Sequence, residues 1–347
     1  MKKSVKILCI FTLILSICLS SLTINAKAEE NYEIYVTAKG AVIMDFDTGI
    51  VLWGHNEDEM LVPASMIKMV AVHVIYDAIR DGKVTLDTTV TVSSEISTFS
   101  RDREFANVPL STERTYTVKQ LLDYVIIRSA GAATLALAEG VFGSEQELIR
   151  LMNEKAVDIG VEAEFHDSWG FSSENKITAT GMAIMTRALL MEYPEVLDVA
   201  SQMFLTIGNT EFRNSNLLLG EYDGVDGLKT GFTNAAGRCL VATAYRDGRR
   251  IITVIMGATT PRRYPETRRM LDFGFARADE IVSEYLETYA MDSIDLSDKY
   301  WSIPFVLGQF DHILYGTLSE QEKNYGHQSR TRFCLLVPVA SPFFVIG

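Results

Sequence analysis

Strands near both ends of the chain and a helical stretch between them predict an α+β fold, with one sheet assembled from the two sequence ends and a helical insertion over about 82–222. Three observations carry this. Ala41-Val42-Ile43-Met44 and Ile50-Val51-Leu52-Trp53 are short apolar runs joined by the turn-rich Asp45-Phe46-Asp47-Thr48-Gly49, which fits a hairpin. The middle of the chain is helical and loop-like in pattern, with helices predicted over 118–127, 132–141, 145–158 and 178–191 and with Phe142-Gly143-Ser144 as a stop and an N-cap. After Gly227 the apolar runs return at 228–233, 239–245 and 251–257, the last two joined around Asp247-Gly248, a strong hairpin signal. Residues 262–289 then read as a helix, and no internal repeat is evident.

The first residues carry Lys2, Lys3 and Lys6, an apolar run over 7–22 and the small-x-small site Ala26-Lys27-Ala28, so residues 1–28 are expected to be an export signal cut after Ala28. The apolar core is short for a membrane span. Ile17 stands before Cys18 where a lipidation site needs a small residue, which argues against a lipid anchor. The expected location is therefore extracytoplasmic, in the cell wall or on the outer face of the cytoplasmic membrane.

Removing that segment takes away four lysines and no acid, leaving 28 basic and 45 acidic residues and a net charge of −17. Such an acidic chain is a poor nucleic-acid binder. Only Cys239 and Cys334 remain as cysteines, so the chain has no disulfide framework, and whether these two pair is open. The mature length suits one catalytic domain over 29–290 and a tail over 291–347. The tail closes in an apolar run from Phe333 that Pro338 and Pro342 interrupt, a poor transmembrane helix; an appendage packed on the domain is expected rather than a membrane contact.

The chemistry concentrates at Pro63-Ala64-Ser65-Met66-Ile67-Lys68. Pro63 fits a first helical turn and 66–79 is apolar enough for a buried helix, so Ser65 is expected at a helix N-terminus, where unpaired N–H groups favour negative charge. Lys68 at i+3 shares the helix face and can reach the Ser65 hydroxyl as the base a serine nucleophile needs. Ser173-Glu174-Asn175-Lys176 has the same spacing but lies in a polar stretch. Downstream, Lys229-Thr230-Gly231 sits in a predicted strand that could pair its backbone with an extended peptide, with Gly231 allowing close approach, Lys229 supplying charge for a carboxylate and Thr230 a hydroxyl. The histidines, His55, His73, His166, His312 and His327, show no close ligand spacing, and the reading calls for no metal or cofactor.

The ordered set Ser65-x-x-Lys68, Ser129, Lys229-Thr230-Gly231 resembles the S-x-x-K, S-x-N and K-T-G signature of penicillin-binding proteins and serine β-lactamases. The segment 41–79, together with Asn214-x-Asn216, Gly224-Val225-Asp226-Gly227-Leu228-Lys229-Thr230-Gly231-Phe232-Thr233 and the run from Ala235 to about Phe275, is similar to the low-molecular-weight D-alanyl-D-alanine carboxypeptidases over most of the mature chain. The resemblance implies a penicillin-binding fold, an antiparallel sheet flanked by helices plus a helical subdomain. It implies acyl transfer on peptidoglycan stem peptides, with β-lactams as covalent inhibitors: Ser65 attacks, Lys68 takes its proton, Ser129 relays a proton to the leaving amine, and the N–H groups of Ser65 and Phe232 form an oxyanion hole.

The chain departs from the pattern at Ser129-Ala130-Gly131, where Gly131 lacks the amide of the S-x-N asparagine and Ala132 replaces a frequent acid. Acylation is therefore expected to be slow, with Gly131→Asn raising its rate if the backbone there tolerates a side chain. Two rivals stand beside the carboxypeptidase. A degenerate relative would bind penicillin or wall peptide with little turnover. A serine β-lactamase would need a Glu-x-x-x-Asn loop between Ser129 and Lys229, and the only such spacing is Glu320 to Asn324 in the tail. Ser65→Ala is predicted to abolish covalent labelling by penicillin, read by mass spectrometry of the adduct peptide. An adduct on Ser173 would show that the wrong serine–lysine pair had been chosen.

Overall fold

The computed structural model describes residues 34–288. The predicted leader, the 291–347 tail and the question of Cys334 pairing lie outside the described residues. Two strands open the fold, β1 (Gly40–Asp45) and β2 (Val51–His55), followed by a 3₁₀ turn over Ala64–Ile67 that runs directly into helix α1 (Lys68–Arg80). The insertion then contains β3 (Thr89–Thr91), α2 (Ser94–Phe99), β4 (Thr115–Thr117), α3 (Val118–Arg128), α4 (Gly131–Leu137), α5 (Glu145–Ile159), β5 (Ala163–Glu164), β6 (Lys176–Ile177), α6 (Ala179–Glu192), α7 (Val196–Ala200), β7 (Phe204–Ile207) and β8 (Thr210–Arg213). The chain finishes with β9 (Val225–Thr233), β10 (Gly237–Arg246), β11 (Arg249–Ala258) and α8 (Arg263–Thr288).

The five long strands form one antiparallel sheet in the order β2-β1-β11-β10-β9, so the two sequence ends do build it together. All six residues of β1 are buried, because helices cover both faces of the sheet. Val42, Met44, Val241, Val254 and Met256 share one core with Val70 and Ile75 of α1 and with Met182 of α6. On the other face α8 comes close at Gly274, where a Cβ would lie 2.8 Å from Ile251 and 3.2 Å from Ile43.

The long helices start where the caps predict. Ser144 caps α5 through the N–H of Glu147, Thr178 caps α6 through that of Gly181, and Thr117 with Gln120 forms a capping box on α3. The predicted helix over 132–141 is α4 followed by a π turn over Ala138–Phe142. Helices α2 and α7 and the paired short strands β3–β4, β5–β6 and β7–β8 were not predicted, because segments of two to six residues are too short to display a period.

An ion-pair network ties α1 to the end of α6. His73 Nε2 lies 3.2 Å from Glu192, Arg80 bridges Glu192 at 3.4 Å and Asp77 at 3.0 Å, Lys155 of α5 reaches Asp77 at 2.5 Å, and the Tyr193 hydroxyl donates to Asp77 at 2.6 Å. Ligand-type atoms of His73, Asp77 and Glu192 thus lie within 4.8 Å of one another, a juxtaposition that sequence spacing does not reveal. Arg80 and Lys155 already neutralise the carboxylates, so the group reads as a structural clamp. The packing at α8 gives a test: Gly274→Val should destabilise the protein by about 1–3 kcal/mol through overpacking. A thermal melt should register the loss, and adding Ile251→Ala should recover part of it.

Candidate active site

Ser65 lies in the 3₁₀ turn that opens α1, one turn earlier than the α-helical start. The residue before it, Ala64, is buried with φ +50°, a conformation that costs a residue with a side chain and persists only under tight packing. Two glycines supply that packing. A Cβ on Gly231 of β9 would lie 2.9 Å from the Pro63 carbonyl and 3.2 Å from Ser65 N, and one on Gly170 would lie 2.2 Å from the Ala64 carbonyl and 2.7 Å from Ser65 N. The nucleophile's backbone is therefore held between β9 and the 165–175 loop. Gly170 also has φ +85°, so any other residue there is excluded twice.

Lys68 Nζ donates to Ser65 Oγ at 2.8 Å, and also to the carbonyl of Trp169. The Ser65 hydroxyl is itself 3.3 Å from that carbonyl. Lys68 is 1% exposed, and burial pulls its pKa down to about 7, partly opposed by the negative charge of Asp167. A buried lysine near neutrality is a competent proton acceptor, which an ordinary surface lysine is not.

The loop that carries Trp169 was missed from sequence. Its organiser is Asp167, whose carboxylate accepts from the backbone N–H groups of Trp169 (3.0 Å), Gly170, Phe171 (2.8 Å) and Ser172. Asn175 Oδ1 accepts from His166 N at 2.7 Å, and Glu145 accepts from both the N–H and the hydroxyl of Ser168. An Asp followed three residues later by a Gly is a turn signal that could have located this loop, though not its contact with Lys68.

Lys229 is wholly buried, and its amine donates to the Thr230 carbonyl at 3.0 Å. Its pKa falls well below the usual lysine value, first through burial and then through Lys68, Arg263 and Arg128. The expected lysine offered openly to a carboxylate is instead enclosed beneath the strand, where its amine meets the Thr230 carbonyl. Thr230 Oγ1 donates to Ser215 Oγ at 2.8 Å. Behind it the Tyr264 hydroxyl donates to the Ser215 carbonyl at 2.9 Å, and Arg263 donates to that hydroxyl and to the carbonyls of Gly231 and Cys239. Asn214 and Asn216 are buried braces: Asn216 accepts from Leu218 N and donates to the Gly227 carbonyl, fixing the approach to β9. Ser215, Tyr264 and Arg263 were not singled out from sequence, because 15 to 49 residues separate Ser215 from Thr230 and Tyr264, and Arg263 from Gly231 and Cys239.

Ser129 is buried at the C-terminus of α3 with φ +61°. Among the described residues no hydrogen bond joins it to Ser65 or Lys68. The next turn is anchored from another loop, since Gly131 N donates to the Ala106 carbonyl and Ala132 N to Asn107 Oδ1. Phe232 lies on β9, half-exposed, with the Arg238 guanidinium 4.9 Å from its ring centroid. Ser173 and Lys176, the competing pair, lie in and after the Asp167 loop, where Lys176 begins β6.

Comparison with known proteins identifies the family. The D-alanyl-D-alanine carboxypeptidase family matches residues 25–260. The D-alanyl-D-alanine carboxypeptidase DacF of Bacillus subtilis is 34% identical over 77% of this chain and 70% of its own length. DacC of Escherichia coli is also 34% identical, over 69% of this chain, which spans 62% of the relative. Penicillin-binding protein 5 from Haemophilus influenzae superposes with a TM-score of 0.66 at 30% identity, covering 70% of this chain and 72% of that one. Penicillin-binding protein D2 from Listeria monocytogenes, solved with cefotaxime bound, has a TM-score of 0.63 at 26% identity, covering 70% and 99%.

The depressed Lys68 pKa predicts an acid limb. Acylation of Ser65 by a penicillin should fall as pH drops below about 7, with one proton taken up, because only the neutral amine accepts the hydroxyl proton. Asp167→Asn removes the charge that favours the ammonium form and should move the limb to lower pH. Stopped-flow acylation between pH 5 and 9 measures both. The same shift acts on stability: the unfolded chain holds this proton up to pH ~10.4, so burying Lys68 costs stability below about 7, and the cost fades as pH rises through that window.

Proposed function

The chain belongs to the D-alanyl-D-alanine carboxypeptidase family, and we propose that it releases the terminal D-alanine of peptidoglycan stem peptides through an acyl-enzyme on Ser65. The observation that carries this reading is the 2.8 Å hydrogen bond between Ser65 Oγ and a Lys68 amine that burial brings near neutrality. Neutral Lys68 takes the hydroxyl proton as Ser65 Oγ bonds to the carbonyl carbon of the penultimate D-alanine. The N–H groups of Ser65 and Phe232 receive the oxyanion, the C–N bond to the terminal D-alanine breaks, and its nitrogen receives a proton relayed by Ser129. Water then releases the shortened peptide and returns the site to its starting protonation state.

The substrate strand pairs along the edge strand β9, which Gly231 lets pack directly against the backbone of Pro63–Ser65. The terminal carboxylate is received by the Thr230 and Ser215 hydroxyls in the positive field of Lys229, Arg263 and Arg128. The charges that act on Lys229 are all positive, which suits this face to an anionic ligand. The reaction belongs outside the cytoplasm, in keeping with the predicted leader and with a wall-peptide substrate.

One observation favours the degenerate binder: Gly131 offers no amide to hold a substrate carbonyl. The two readings separate in one experiment. Mass spectrometry after incubation with penicillin should show a covalent adduct on Ser65, and incubation with a peptide ending in D-Ala-D-Ala should show product one D-alanine shorter. An adduct with no peptide shortening over long incubation would favour the binder; rapid multiple turnover of nitrocefin would favour the β-lactamase.

A further inference from the structure

Two features remain without a role. Gly131 stands where the family resemblance calls for an amide side chain, and four aromatic rings are packed beside it. Trp169 and Phe171 are stacked with centroids 5.2 Å apart and planes 3° apart. Phe105 meets both edge-on at 5.4 Å and 5.2 Å, and Phe99 packs on Trp169 at 5.1 Å. Gly131 is absent from the positive-φ residues, so its backbone would accept a side chain. The space is tight. A Cβ there would lie 3.0 Å from Trp169 Cε3 and 3.3 Å from Phe99 Cε1. Whether Gly131→Asn restores a lost hydrogen bond therefore turns on the indole and the Phe99 ring giving way by a few tenths of an ångström.

The indole also bears on the base. Lys68 Nζ sits 5.8 Å from the Trp169 ring centroid and donates to the carbonyl of the same residue. That carbonyl is held in place from two directions, by Asp167 gathering the N–H groups around it and by the ring wedged between Phe99, Phe105 and Phe171. Resting on the reading of Ser65 and Lys68 as nucleophile and base, we propose that Trp169 is the positioning residue for Lys68 and stands in for the amide that Gly131 lacks. The backbone carbonyl orients the amine toward Ser65, while the ring shields it from water and anchors the carbonyl. Gly131 and Trp169 are then a matched pair, the absence of one side chain making room for the other.

The test is a double-mutant cycle read across pH. The groups that act on the Lys68 charge are Asp167 in the loop and Lys229 on β9, with Arg128 and Arg263 beyond it, and all are left intact. Acylation of Ser65 by a fluorescent penicillin is followed from pH 5 to 10 in the full-length protein, with a thermal melt for each variant. Trp169→Ala keeps the carbonyl but removes the ring that anchors it, and should slow acylation at neutral pH about ten-fold or more, the cost of one misplaced hydrogen bond. It should also move the acid limb upward by about one pH unit as water reaches the amine. Trp169→Phe, which keeps a ring, should stay near wild type. Gly131→Asn should slow the wild-type protein yet speed the Trp169→Ala variant, where the space is free. Should Trp169→Ala fail to fold, Trp169→Leu takes its place in the same comparison. Equal slowing at every pH with an unmoved acid limb, or the same effect of Gly131→Asn in both backgrounds, overturns the proposal. Absence of any Ser65 adduct in the wild-type protein would instead sink the underlying assignment of nucleophile and base.

Discussion

The site depends on keeping the amine of Lys68 out of water while leaving it one hydrogen bond from Ser65. An exposed lysine at that spot would remain protonated near pH 7 and could not accept a proton. Burial alone would only disorder or expel it. The structure resolves this by giving the amine two oxygen partners, Ser65 Oγ and the Trp169 carbonyl, inside a shell 1% exposed. Much of the surrounding architecture maintains that enclosure: the positive φ of Ala64, the close approach of Gly170 and Gly231, and the N–H groups gathered by Asp167.

Asp167 has two opposing effects within one residue. Its hydrogen bonds shape the loop whose carbonyl holds Lys68, while its charge stabilises the protonated amine. Burial prevails, so the net pKa remains near neutrality. On the other side of Ser65, Lys229 faces an equivalent problem without a carboxylate to relieve it. Its burial, together with Lys68, Arg263 and Arg128, holds its pKa well below the usual lysine value. In the proposed reaction a substrate carboxylate would bring the opposite charge and favour the protonated form of Lys229.

The relatives place the chain in the D-alanyl-D-alanine carboxypeptidase family, and among its structural neighbours penicillin-binding protein D2 was solved with cefotaxime bound. Within the fold the helical insertion and the sheet meet at Ser65, so the reacting groups come from both parts. Ser65 and Lys68 open the helix that follows β2, Lys229 lies on the edge strand β9, and Trp169 comes from the insertion. Changes in either part therefore reach the same amine.

The sequence alone determined what is local or periodic. Strand and helix order, the sheet shared by the two chain ends, the Ser65–Lys68 pair at i+3 and the strand carrying Lys229 follow from apolar spacing, caps and turn residues acting over a few positions. Tertiary structure decided what depends on contacts between distant segments. The Trp169 carbonyl lies 101 residues from Lys68, Ser215 lies 15 from Thr230, and His73 lies 119 from Glu192. Gly131 shows the difference most clearly. As a letter in the chain it is a missing amide, whereas in the fold it is a point of close packing under the Trp169 and Phe99 rings, because such contacts act between side chains that sequence order does not bring together.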